Sequence, residues 1–146
     1  MAMDQDLDKI IEDFAFLEDW EDRYRYVMEL GKAMPDFPET LRSTENKVNG
    51  CASQVWLATK VSESKDAASP ILTFVGDSDS ALVRGLIAIL LATYSGKSAD
   101  HILKASAFDT LQKLGLQDHI TPQRSNGFAA MAQRIVSDAQ TAISKM

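Results

Sequence analysis

The chain has 146 residues, 45% hydrophobic and 25% charged, with 7 Gly, 4 Pro and a single Cys. That is the length of one domain able to bury its own core, and the composition excludes collagenous, low-complexity and disordered classes. One cysteine excludes an internal disulfide framework, and a net charge of −6 argues against nucleic-acid binding.

The acids crowd the N-terminus, where the first thirty residues carry ten acids against Lys9, Arg23 and Arg25. The plain reading of this segment is a solvated helix face; the functional one is a surface that steers a basic partner. Its acidic start lacks the basic n-region and apolar stretch of an export signal. The most apolar run, Ala81 to Tyr94, is 14 residues long and contains Arg84, short of the roughly 20 needed to span a membrane. The expectation is a cytoplasmic protein with residues 1–146 as one domain.

Leu7, Ile10, Ile11 and Phe14 recur at spacings of three and four, predicting a short amphipathic opening helix. Trp20, Tyr24, Val27, Met28, Gly31 and Met34 continue the pattern on a second helix, which Pro35 and Pro38 end. An irregular stretch through Gly50 follows. Gln54 to Val61 and Ile71 to Val75 read as strands joined by a polar turn, most simply an antiparallel hairpin. Asp79 or Ser80 can cap a buried helix over Ala81 to Tyr94, closed by Gly96. Ser98 caps a short helix through Leu103, and another around Phe108, Leu111 and Leu114 ends at Gly115. A loop from Gln117 to Asn126 leads to a last helix with Phe128, Met131, Ile135 and Ile143 on its apolar stripe. Strands clustered between helix runs indicate an α+β fold.

The distinctive local feature is Asn49-Gly50-Cys51-Ala52-Ser53-Gln54-Val55-Trp56. Gly50 suits a turn that presents Cys51 just before a strand. A lone cysteine is usually a small buried hydrophobe, yet a polar loop at a strand start is a poor place for a packing-only thiol. One Cys with His101 and His119 offers no ligand-spaced set, so a zinc or protein-held cluster site is not expected. A two-cysteine redox cycle has no resolving thiol. Single-thiol chemistry remains: a hydrolytic nucleophile with His119 as base, a peroxide sensor, or a sulfur carrier. Carriage needs a thiolate, a shielded place for the persulfide and no neighbouring thiol to discharge it. A cation near Cys51 would favour the anion. Arg124, in Thr121-Pro122-Gln123-Arg124-Ser125-Asn126-Gly127, can serve if folding brings it close, whereas the plain reading is that this segment caps the last helix.

Four separated motifs carry a resemblance over nearly the whole chain. They are Trp20 to Gly31 (WEDRYRYVMELG), Val48 to Trp56 around the cysteine, Gly76-Asp77-Ser78-Asp79-Ser80-Ala81 running into Val83-Arg84-Gly85-Leu86, and Thr121 to Gly127. In order and spacing they resemble the SufE/CsdE family, sulfur acceptors that work with cysteine desulfurases.

The resemblance implies a SufE/IscU-like α+β fold: a small, curved antiparallel sheet of about three strands with helices packed on one side. It places the third strand within Leu41 to Val48. It implies an accessory, sulfurtransferase-like carrier whose Cys51 takes persulfide sulfur from a PLP-dependent cysteine desulfurase of the SufS or CsdA type. The carrier stimulates the desulfurase and passes sulfur to the Suf-type iron–sulfur scaffold complex (SufBCD), with no metal, bound cofactor, nucleic acid or membrane involved. Residue by residue, Cys51 matches the acceptor, and Gly50, Gln54 and Trp56 match the frame of the cysteine loop and its cavity. Arg124 matches the arginine of a loop beside the cysteine, and Asp79 an acidic position near the partner-facing surface. One departure is Ala105-Ser106-Ala107, where family members more often carry an aspartate soon after the Ile-Leu pair. The rival from another class is a binding module that docks through its acidic helices while Cys51 stays inert.

Overall fold

The computed structural model describes residues 7–49, 53–63, 69–116 and 118–145. Two helices open the chain, α1 (Leu7–Phe16) and α2 (Trp20–Lys32), followed by a 3₁₀ turn at Glu39–Leu41. Strands β1 (Val55–Ser62) and β2 (Ile71–Ser78) come next. They are followed by α3 (Ala81–Tyr94), β3 (Lys97–Ser98), α4 (Ala99–Lys104), α5 (Ala107–Leu114) and α6 (Pro122–Ser144).

The sheet is antiparallel, in the order β1-β2-β3. Val55 pairs with Ser78, Leu57 with Gly76 and Thr59 with Phe74. Alternation along each strand puts these residues on one face. On that face, α3 approaches Gly76 so closely that a Cβ there would stand 2.8 Å from Ile87 Cγ2. From α6, Asp138 accepts a 2.6 Å hydrogen bond from the Thr59 hydroxyl. The result is an α+β fold with an open three-stranded sheet and helices over one face.

The third strand differs from the expected one. Within Leu41 to Val48 only Lys47 bridges to β1, opposite Trp56. The chain ahead of it is bent by the hydrogen bonds Asn46 Nδ2 to Leu41 O (2.9 Å) and Lys47 N–H to Ser43 O (3.1 Å), which leaves little extended backbone to pair. The named third strand is Lys97–Ser98 on the far side of β2. Gly96, at φ +78°, turns the end of α3 back so that its N–H reaches Leu72 O at 2.8 Å.

The helix ends follow local chemistry. Ser80 caps α3 by accepting from Val83 N–H, Ser98 and Ser106 do the same for α4 and α5, and Gly115 closes α5 at φ +68°. The extended Ala105 and the Ser106 cap separate α4 from α5, so the departure at 105–107 falls at that junction. α6 begins earlier than expected. Thr121 caps it and Pro122 is its first residue, so Gln123 to Asn126 are helical and not a loop. The apolar stripe starts only at Gly127 and Phe128, because the first turn carries no buried residue.

α3 runs through the core with Leu86, Ile87, Ile89 and Leu90 at 1% exposure or less. At its end the buried Tyr94 hydroxyl accepts the N–H of Ala107, the first residue of α5, at 2.9 Å. That N–H is one of the donors a helix start leaves unpaired. Tyr94→Phe is therefore expected to lower stability by about 1–2 kcal/mol, read as a reduced urea midpoint with an unchanged slope. Among the described residues no helix is long and apolar enough to cross a membrane.

Candidate functional site

Gly50 and Cys51, with Ala52, lie outside the described residues; the chain on both sides of them is well anchored. On the N-terminal side, Val48 N–H donates to Val55 O at 2.9 Å, and Leu57 N–H donates to Asn46 O at 2.8 Å. On the C-terminal side, Gln54 and Asp79 hold each other by two hydrogen bonds. Gln54 N–H donates to Asp79 Oδ1 at 3.1 Å, and Asp79 N–H donates to Gln54 O at 3.3 Å. Because Ser80 takes the capping role, the Asp79 carboxylate is left to hold the strand that follows the cysteine.

Beside this strand start lies a cavity of about 170 Å³ lined by Ser53, Val83, Leu86, Thr121, Gln123, Arg124, Gly127 and Met131. Val83, Leu86, Gly127 and Met131 are buried and form an apolar floor; Thr121, Gln123 and Arg124 are exposed and make a polar rim. Ser53, half-buried, is two positions after Cys51 in the chain. The Thr121 hydroxyl accepts Arg124 N–H at 3.2 Å, so the cap that starts α6 also holds the backbone of the rim arginine. The segment thus both caps α6 and lines the cavity.

The other candidates have different surroundings. Gln54 is exposed, and Trp56 points to the sheet face opposite Val55 and Leu57; neither is among the residues lining the cavity. The Trp56 ring lies 4.9 Å from the Arg42 guanidinium carbon, a cation–π contact. Arg42 also donates a hydrogen bond to Asp77, the residue opposite Trp56 in the strand pairing. The Asp77 hydrogen bond raises the Arg42 pKa against the opposing effect of burial, with Asp77 and Glu39 charges adding to the rise. Arg84 of α3 places its Nε 3.0 Å from Asp77 Oδ1. Arg42 was not singled out in the sequence, and Asp77 only as part of a motif, because a pair 35 positions apart leaves no local signal. Of the floor residues, Met131 carried only the signature of helix core, and Val83 and Leu86 stood in a motif without a role assigned to them. His119 stacks on Trp20, centroids 3.5 Å apart, and is not among the cavity-lining residues.

These features define a small α+β protein with a half-apolar cavity beside the strand that follows its single cysteine. The comparisons with known proteins specify the class further. The SufE family, described as an Fe-S metabolism associated domain, matches residues 8–139. An uncharacterized SufE-like protein of Rhizobium meliloti is 56% identical over 134 residues, covering 92% of this chain and 94% of its own. Another, from Rhizobium etli, is 57% identical over 134 residues, covering 92% of this chain and 89% of its own. In fold, the chain is similar to the solution structure of a hypothetical protein from Thermus thermophilus. The TM-score is 0.71 at 18% identity, over 94% of this chain and 96% of that one. The chain belongs to the SufE family. Membership implies a sulfur-transfer role in Fe–S metabolism and interaction with a cysteine desulfurase.

Proposed function

We propose that Cys51 accepts sulfur as a persulfide from a PLP-dependent cysteine desulfurase of the SufS or CsdA type, and hands it to a SufBCD-type scaffold. On this reading residues 1–146 work as one domain in the cytoplasm and speed the desulfurase by clearing its persulfide. The observation that carries the reading is the cavity beside Ser53, with an apolar floor and Arg124 among its exposed lining residues. Such a site suits a sulfur anion that must be kept from water and stray thiols until its acceptor arrives.

In the transfer step the Cys51 thiolate attacks the terminal sulfur of the desulfurase persulfide. A new S–S bond forms to Cys51, the old S–S bond breaks, and the desulfurase cysteine leaves as a thiolate. The terminal proton travels with its sulfur, and nothing is oxidised or reduced overall. Loss of that proton then gives the Cys51 persulfide anion, which Arg124, one of the cavity-lining residues, would stabilise. Asp79 serves this reading in two ways: it anchors Gln54, and its exposed carboxylate stands on the surface a partner would meet.

Incubation with an active desulfurase and cysteine, followed by intact-protein mass spectrometry, tests the proposal. A reductant-labile gain of sulfur is expected in the wild type and none in Cys51→Ser. Full stimulation of the desulfurase by Cys51→Ser, with no sulfur gained by the wild type, would instead favour the binding module. The hydrolase alternative gains no support from the cavity, because His119, its candidate base, is not among the residues that line it.

A further inference from the structure

The first turn of α6 bears the rim of the cavity, yet Pro122 to Asn126 include no buried residue. Apolar packing of the helix begins only at Gly127 and Phe128. The Thr121 cap acts within the segment and does not tie it to the rest of the fold. The direction in which α6 starts is set by the packed helix from Gly127 onward and by what holds the chain just before Thr121.

Ile120 packs against the core there, and a second grip comes from α2 and converges on His119. Trp20 and Tyr24 stand one turn apart on α2, with ring centroids 5.9 Å apart. The His119 ring stacks on Trp20 at 3.5 Å with planes inclined by 20°. The Tyr24 hydroxyl donates a hydrogen bond to the His119 carbonyl. One contact holds the side chain and the other the backbone, two positions ahead of the α6 cap. The base of the clamp is itself tied down. Asp19 caps α2, and Arg23 Nε donates to Leu17 O at 2.6 Å while its guanidinium carbon lies 4.8 Å from the Trp20 ring centroid. His119 is exposed and Trp20 and Tyr24 are half-buried, so the clamp contributes less to core burial than to orientation.

We infer that Trp20, Tyr24 and His119 are positioning residues: their clamp on the α5–α6 connection sets where the first turn of α6 holds Arg124 over the cavity. Loosening the clamp lets the rim arginine drift from the cavity while the core of α6 stays packed. The inference rests on the sulfur-transfer reading for its purpose, but its test does not need a desulfurase.

The experiment is iodoacetamide alkylation of Cys51 as a function of pH, in the full chain. Arg124→Ala is expected to raise the midpoint of the profile, because a nearby cation favours the thiolate. Tyr24→Phe removes only the donor, and His119→Ala only the stack. Each is expected to shift the midpoint upward by about half a unit, or about threefold slower alkylation below it. Their urea midpoints are expected to stay close to wild type. His119→Phe, which keeps a stacking ring, is expected to restore the wild-type midpoint, a rescue that a general loosening of the fold would not give. Unshifted midpoints in Tyr24→Phe and His119→Ala would overturn the clamp, as would an Arg124→Ala variant that titrates like wild type. A wild type that takes no sulfur from a desulfurase would sink the transfer reading alone, since the alkylation profile still decides the clamp.

Discussion

Gly85→Ala is expected to destabilise the protein by about 3 kcal/mol or more. Gly85 on α3 faces α2, where a Cβ would stand 2.5 Å from Val27 Cγ1 and 2.7 Å from the Val27 carbonyl carbon. The reciprocal position is equally tight: a Cβ on Gly31 would lie 2.7 Å from Gly85 N and 2.9 Å from the Arg84 carbonyl carbon. The obstructing atoms are mostly backbone, so no side chain can rotate to make room. The two helices must separate, and α3 is the most buried element of the core. A thermal midpoint lower by about 10 °C is the expected reading. Gly96→Ala is the control. Its built Cβ meets nothing within 4 Å, and only the positive φ of +78° opposes it, at a cost of about 1 kcal/mol. A Gly85→Ala protein as stable as the control would show that α2 and α3 do not pack through this glycine contact.

Asp79→Ala is expected to release the strand that follows Cys51 without disturbing the core. The variant keeps the Ser80 cap of α3, and the Asp79 N–H to Gln54 O bond survives; only the carboxylate acceptor for Gln54 N–H is lost. An exposed hydrogen bond to a charged group contributes about 1 kcal/mol, so exchange of the Gln54 amide should accelerate about fivefold. Asp79→Asn, which keeps an oxygen at the position, should show a smaller acceleration. On the transfer reading, a freer strand also presents Cys51 more readily, so alkylation at high pH should rise in Asp79→Ala. An unchanged Gln54 exchange rate would mean that the strand start is held by its ladder alone.

Much of the element map was legible in the chain because its signals are local. Apolar spacing marked α1 and α2, an apolar run with Asp79 or Ser80 as its cap marked α3, Ser98 marked α4, and Gly115 marked the end of α5. The misplacements have equally local causes. Polar Gln123 to Asn126 hid the first turn of α6, since an exposed turn carries no apolar period; Thr121-Pro122 is the signal that would have located it. Lys97–Ser98 is too short for any strand pattern to register. Its pairing depends on Gly96 returning the chain to β2.

Cys51 stood out from the sequence alone, because one thiol in a polar turn is visible without a fold, and the four motifs carried the family with it. What surrounds the site was decided only in three dimensions. Asp79 reaches Gln54 across 25 positions, Tyr24 reaches His119 across 95, and the cavity joins Ser53 to a helix that starts almost seventy residues later. Helical period and capping depend on neighbours within a few residues, so they can be read directly from the chain. A cavity, a helix crossing at two glycines and a clamp on a loop depend on how separate elements meet when the core closes. That meeting is set by the packing of the whole domain.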